Sequence, residues 1–194
     1  MIKHSIIFLL SIFMLVSYGL GLQQFDADKA HSSISFQIRH MVVSKVNGHF
    51  NDFSVTIMAD TVDFTKSTVT ATVKVATIDT GNEKRDIHLK SADFFEVEKY
   101  PEATYKSNSV EKKGDEYIAH GTLTMHGVSK SLDINFKILG QIKDFEGKTR
   151  VGIEATAVLD RKDYNISWNR ALDTGGVILG SEVTLEILLE MVGK

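Results

Sequence analysis

The segment EYIAHGTLTMHG, residues 116–127, decides the fold class. Small and apolar residues occupy every second position from Ala119 to Met125, and polar residues such as His120 and Thr122 lie between them. Because successive side chains of a β-strand point to opposite faces, this alternation predicts a strand with one buried face. The His-Gly pair that follows predicts a turn at residues 125–127.

Six further segments show the same alternation of apolar and polar residues. They are residues 31–40, 53–59, 67–78, 131–140, 149–160 and 182–191. Turn sequences occur at VNGH (46–49), KKGD (112–115) and FEGK (145–148). The pattern predicts about eight long antiparallel strands, which form either a closed barrel or a two-sheet sandwich. Small residues on the apolar face either leave room for a ligand or accommodate large neighbours in a dry core.

The N-terminal 21 residues are predicted to be a secretory signal peptide. Lys3 precedes an uncharged apolar run at residues 6–16, and the small residues Ser17, Gly19 and Gly21 follow. This run is shorter than the ~20 residues that a transmembrane helix needs, although an uncleaved anchor is the alternative. Residues 22–194 then form one soluble domain, since no linker divides them. The expected location is the periplasm or the exterior of the cell.

Composition and motifs exclude several classes of function. The chain has no cysteine, so disulfides and thiolate chemistry are absent. A net charge of −3, spread without blocks, does not favour nucleic acid as a partner. Nucleophile-elbow, phosphate-loop, dinucleotide and zinc-protease motifs are all missing from the sequence. We therefore expect no catalytic residues, no cofactor, no metal and no stable membrane insertion.

Residues 81–90 break the strand pattern and predict a short helix. Thr80 and Glu83 have the spacing of a capping box, with Thr80 as the N-cap. Arg85, His88 and Leu89 lie on one face of this helix. Arg85 and His88 either donate hydrogen bonds to a polar head group at a cavity mouth or only fasten the helix to neighbouring strands.

Five segments occur in an order that is specific in combination: HSSISFQIRHM (31–41), VNGHFNDF (46–53), RDIHLKSADFFEVEKYPEATYKS (85–107), GTLTMHGVSK (121–130) and LDRKDYNIS (159–167). In this order the chain resembles the YceI-type polyisoprenoid-binding proteins from about Asp26 to its C-terminus. The resemblance implies a mainly β fold, an antiparallel eight-stranded lipocalin-like barrel with the short helix near one end. Relatives usually carry Phe-Gly where this chain has Tyr164 and Asn165. Asparagine tolerates a left-handed backbone, so we expect the turn to persist.

The resemblance also implies a periplasmic carrier that holds a long-chain amphiphile, such as a polyisoprenoid or quinone, in a hydrophobic barrel cavity. One alternative is a cofactor-free enzyme that acts on a lipid-like substrate with His88 as base. Another is a barrel that serves only as a scaffold. A homodimer is compatible with the sequence. The predicted lipid-binding residues are Phe36, Ile38, Phe53, Val75, Arg85, His88, Leu89, Phe94, Tyr105, Leu123, Phe136 and Trp168, the last of which either lines the cavity or plugs a barrel end.

Overall fold

The computed structural model describes residues 21–41, 43–60, 62–172 and 176–194. The predicted signal peptide, except for Gly21, lies outside the described residues. Within them, no helix is long and apolar enough to cross a lipid bilayer.

In this described part of the chain, the fold consists of eleven strands and one α-helix. The strands are β1 (Gln23–Ala27), β2 (Ser33–His40), β3 (Ser44–Phe50), β4 (Phe53–Ala59), β5 (Thr68–Lys74), β6 (Ile78–Asp79), β7 (Glu102–Lys113), β8 (Glu116–Met125), β9 (Val128–Lys143), β10 (Thr149–Asp160) and β11 (Leu179–Gly193). The helix α1 spans Glu83–Lys90. Each of the segments predicted to be strands contributes to the sheet, and the predicted short helix is confirmed.

The sheet closes on itself as an eight-stranded antiparallel barrel. Its ring runs in the order β1, β4, β5, β7, β8, β9, β10 and β11, and β11 returns to β1 where Phe25 pairs with Gly193. Strand β2 continues beside the first part of β11, and β3 pairs with β2. The closed barrel is therefore the correct one of the two architectures that the alternation allowed, and the predicted fold class is confirmed.

Inward-facing small residues have two roles in the barrel. At Gly121 an added Cβ would lie 2.4 Å from the Tyr105 hydroxyl group, so glycine here makes room for a tyrosine that crosses the interior. The Tyr105 hydroxyl donates a hydrogen bond to the Ala119 carbonyl at 2.8 Å. Ala119 and Ala155, in contrast, line empty space. The small residues therefore accommodate one large neighbour and also leave a cavity.

The predicted turn at residues 46–49 is wrong, because these residues lie inside β3. Gly48 faces Phe36 on the paired strand, and a Cβ at this position would lie 2.4 Å from the Phe36 ring. Glycine is required here by a close approach across the hairpin rather than by a turn. The other three predicted turns are confirmed by positive φ angles at Gly114, Gly127 and Gly147.

The helix cap also differs from its prediction. Asn82, not Thr80, is the N-cap of α1, and its side-chain oxygen accepts a hydrogen bond from the Arg85 backbone N–H at 3.1 Å. The Thr80 hydroxyl donates instead to Asp86 Oδ1 at 2.6 Å. The capping-box spacing was misleading because Asn82 lies directly before the helix and is an equally good cap.

Candidate functional site

The barrel contains two neighbouring cavities. The first has a volume of about 130 Å³ and lies within the closed ring of strands, with Val55, Ala71, Ala119 and Ala155 among its walls. The second has a volume of about 360 Å³ and lies beneath α1. Leu185 on β11 contacts both, so the two cavities adjoin along the barrel. Together they form an elongated site whose lining is mainly apolar.

The segment after α1 covers the second cavity with aromatic rings. The Phe94 side chain is only 5% exposed, and its ring centroid lies 5.2 Å from that of Trp168. The His88 ring packs edge-on against both, with centroids 5.0 Å from each. Phe95 from the same segment also lines the cavity. Trp168 thus lines the cavity and closes part of its rim.

Arg85 both lines this cavity and fastens the helix. Its Nε donates to Thr80 Oγ1 at 2.7 Å, and its Nη2 donates to the Thr80 carbonyl at 2.8 Å. Asp86 Oδ1 accepts from the Thr80 backbone N–H at 3.0 Å. These bonds tie α1 to the residue that follows β6. Arg85 and Asp86 thus fasten the helix to the residue just before it rather than to neighbouring strands, and a head-group contact by Arg85 stays a prediction.

His88 makes a polar contact with the loop that follows α1. Its Nε2 lies 2.8 Å from Asp93 Oδ2. An ionised carboxylate only accepts hydrogen bonds, so Nε2 is the donor and Nδ1 is the acceptor nitrogen of the neutral ring. This bond sets the orientation of the imidazole between Phe94 and Trp168.

Arg161 lines the second cavity and was not identified from the sequence. It follows β10, is 4% exposed, and donates from Nε to the Gly180 carbonyl at 2.8 Å and from Nη1 to the Ile166 carbonyl at 2.6 Å. Its Nη2 is buried and has no hydrogen-bond partner among the described residues. Desolvation lowers the pKa of the Arg161 guanidinium, and the charge of Asp160 opposes this effect.

The turn that contains Arg161 has the predicted backbone. Asn165 ends a short 3₁₀ turn in the left-handed region, with φ 61°. Tyr164, the other departure from the family pattern, is 2% exposed. Burial raises the pKa of the Tyr164 hydroxyl, and the nearby charge of Asp163 adds to this shift. The expectation that asparagine preserves the turn is confirmed.

The twelve predicted lipid-binding residues divide between the cavities and the core. Lining the second cavity are Phe36, Ile38, Arg85, His88, Leu89, Phe94 and Trp168. Lining the first are Tyr105, Leu123 and Phe136. Phe53 and Val75 are buried but line neither cavity. Contact of any of these residues with a ligand stays a prediction.

Potential metal ligands occur together at the other end of the barrel. Asp28, His31 and Glu190 place ligand-type atoms within 4.8 Å of one another. Arg150 donates to Asp28 at 3.1 Å and to Glu190 at 2.5 Å, so both carboxylates of this cluster are already paired with its guanidinium. The hydrogen bond to Asp144, followed by those to Glu190 and Asp28, raises the pKa of Arg150. The cluster is best explained as an ion-pair network.

Comparisons with known proteins agree with this geometry. A sequence model of the YceI-like domain matches residues 25–191. A UPF0312 protein of Staphylococcus aureus strain N315 is 39% identical over 167 residues, which cover 86% of this chain and 95% of the relative. The crystal structure of a Campylobacter jejuni YceI protein is 32% identical, with a TM-score of 0.70 over 86% of this chain and 96% of that one.

A more distant structure shares the fold. It is a polyisoprenoid-binding domain from Saccharophagus degradans implicated in plant cell wall breakdown. It is 16% identical, with a TM-score of 0.62 over 90% of this chain and 99% of that domain.

Proposed function

The chain belongs to the YceI-like domain family, and from this premise we propose that it is a periplasmic carrier for a long-chain amphiphile such as a polyisoprenoid or a quinone. The proposal rests on the pair of adjoining cavities, of which the first lies inside the closed ring of strands and the second lies beneath α1. The amphiphile's tail occupies the first cavity, and the end that bears its polar group lies in the second, beneath α1.

Burial of apolar surface supplies the affinity. Removing a hydrocarbon tail from water contributes ~25 cal/mol for each Å² of apolar surface buried. Among the residues described, the first cavity is lined by no charged side chain. A tail in this cavity therefore gains from burial without displacing hydrated ions. Such a site selects for length and shape more than for individual atoms.

Two further observations support a carrier. The distant structural neighbour is a polyisoprenoid-binding domain, and the family assignment favours a binding protein over an enzyme. The apolar run at residues 6–16, with its small-residue exit, supports export. Export predicts a mature protein that begins near Leu22, which N-terminal sequencing of the secreted chain checks.

Ligand length provides the test of the binding proposal. Trp168 is the sole tryptophan of the chain and lines the second cavity, so its fluorescence reports on occupancy. Prenyl alcohols of two, three and four isoprene units are titrated into the purified protein at concentrations below their aggregation threshold. We expect affinity to rise about tenfold or more with each added unit, because each buries several apolar carbons. Affinity that does not change with length would contradict the proposal.

Replacement of His88 separates the carrier from the alternative of an enzyme with His88 as base. A carrier with the variant His88→Ala keeps most of its affinity, because tail burial provides most of the binding energy. A general base contributes a rate factor of about 10²–10⁴. If His88→Ala slowed turnover of a bound lipid by this factor, the protein would be an enzyme and the carrier proposal would be wrong.

A further inference from the structure

The permanently charged side chains that line the second cavity are all positive. The titratable residues that line it are His40, Lys84, Arg85, His88 and Arg161. Three of these carry permanent positive charge and two are histidines, whereas no aspartate or glutamate of the described residues lines the cavity. The chain as a whole has 25 acidic residues against 22 Lys and Arg. The overall composition of the chain therefore does not explain why the titratable residues of this lining are all basic.

Arg161 is the most informative member of this set. A buried guanidinium is costly unless its charge and its N–H groups are compensated. Arg161 makes no ion pair with a carboxylate among the described residues, and its two protein partners are main-chain carbonyls. Its Nη2 is buried without a partner. The Nη2 donor and the positive charge of Arg161 are therefore available to a hydrogen-bond acceptor on a ligand.

The nearby carboxylates lie outside the cavity, although the charge of Asp160 acts on Arg161. Asp93 bonds the His88 ring, and Asp86 accepts hydrogen bonds from Thr80. Asp160, adjacent to Arg161 in sequence, accepts from the Lys162 backbone N–H at 2.8 Å. None of the three lines the cavity. The positive potential consequently extends into the apolar space, where a low dielectric strengthens it.

A purely structural role explains only part of the set. Arg161 holds the chain at Ile166 and Gly180, and Arg85 holds the residue that follows β6. Lys84, however, makes no salt bridge to a described residue and still lines the cavity. Its position next to Arg85 on α1 places a second cation at the same wall.

We propose that the amphiphile held by this barrel is anionic, with a carboxylate or phosphate head group seated in the second cavity near Arg161, Arg85 and Lys84. This inference rests on the proposed carrier function and adds the chemistry of the head group to it. Arg161 contributes a buried charge and an open donor, and Lys84 contributes a mobile charge at the rim. The neutral tail still lies in the first cavity.

Matched pairs of ligands test the proposal. Farnesyl phosphate is compared with farnesol, and oleate with oleyl alcohol, by titration of Trp168 fluorescence in the full mature protein. Each pair shares a tail and differs in head-group charge. We expect the anion of at least one pair to bind about tenfold tighter than its alcohol, because charged hydrogen bonds are the strong ones. The pair with the larger ratio identifies phosphate or carboxylate as the head group.

Two variants at helix α1 provide a control for general electrostatics. Lys84→Gln removes a cation that lines the second cavity, and Lys90→Gln removes one from the same helix that does not line it. We expect Lys84→Gln to weaken binding of the anion by about threefold and to leave binding of the alcohol unchanged, in line with an exposed charge. Lys90→Gln should alter neither ligand. If Lys84→Gln and Lys90→Gln changed the affinity for the anion equally, Lys84 would have no specific role in binding the head group.

The variant Arg161→Gln examines the buried charge, with a thermal melt to confirm that it folds. In a folded variant the ratio of anion to alcohol affinity should fall toward one. If Arg161→Gln does not fold, the ligand pairs in the wild-type protein still decide the proposal. Alcohols that bind as tightly as their anions overturn the head-group inference and leave the carrier intact. Failure of all four ligands to bind overturns the carrier itself.

Discussion

The walls of the two cavities are stabilised by different kinds of hydrogen bonds. The first is enclosed by strands whose backbone hydrogen bonds run without a break around the ring. The second is covered by one short helix and an aromatic loop, fixed by side-chain bonds at Thr80 and Asp93. A closed sheet lacks free edges and opens only by losing many bonds together. The first cavity is therefore walled by a closed sheet, whereas the cover of the second depends on a few side-chain bonds.

The largest expected effect is on stability, from the variant Phe94→Ala. Phe94 is 5% exposed and packs on His88 and Trp168, so its loss should lower the free energy of unfolding by about 3 kcal/mol or more. Urea denaturation measures this change. Phe145→Ala is the matched control, because Phe145 is fully exposed, and it should change stability by less than about 0.5 kcal/mol. A small effect of Phe94→Ala would show that the cover is not packed onto the barrel.

The next largest effect is on binding, from the variant Ala155→Phe. Ala155 lines the first cavity, so a phenyl ring there takes the space assigned to the tail. We expect the affinity for a long prenyl alcohol to fall at least about tenfold. Thr156→Phe places the same ring on the exposed outer face of β10 and should bind normally. Unchanged binding by a folded Ala155→Phe protein would show that the tail does not lie in the first cavity.

A smaller effect tests whether α1, which covers the second cavity, opens independently of the barrel. Thr80→Val removes the hydroxyl that accepts from Arg85 and donates to Asp86. Loss of these bonds should cost about 1–2 kcal/mol, mostly as local opening of α1. Hydrogen–deuterium exchange should become faster in α1 while exchange in β8 and β10 stays the same. Faster exchange throughout the barrel would mean that the helix and the ring unfold as one unit.

A further effect is expected on the pH dependence of stability, at Tyr105 beside the first cavity. Burial, with a further contribution from the charge of Asp133, raises the pKa of Tyr105 to about 12. The folded protein therefore holds this proton more tightly than the unfolded chain, whose tyrosine pKa is about 10. The resulting stabilisation is fully present below pH ~10 and is lost as pH rises toward ~12. Denaturation midpoints measured over this range should fall less steeply for Tyr105→Phe than for the wild-type protein.

Alternation predicted most of the barrel but missed β1, β3 and β7, and in β7 the alternation itself is interrupted. Strand β7 was not predicted, because a register shift between Ser107 and Ser109 changes the parity of its inward residues. Tyr105 and Ser107 face inward before the shift, and Val110 faces inward after it. A pattern with a period of two cannot continue across such a bulge. Strand β4, which has no bulge, matches its predicted bounds at residues 53–59.

The site was partly predictable for a related reason. Phe36, Ile38, Leu89 and Phe94 were identified because apolar residues in a family motif follow simple positional rules. Arg161 was missed, because a buried arginine and a solvated one look alike in sequence. Its burial depends on contacts with Ile166 and Gly180, and only the three-dimensional fold brings Gly180 near. Residues whose role depends on distant partners need a structure to be recognised.

Native mass spectrometry of the protein purified from its own host shows whether the barrel holds a lipid. We expect a bound species that adds the mass of one long-chain amphiphile, is released on unfolding, and is absent or strongly reduced in Ala155→Phe but retained in Thr156→Phe. A wild-type protein that carries no amphiphile and takes up none from an added lipid extract would contradict the carrier proposal.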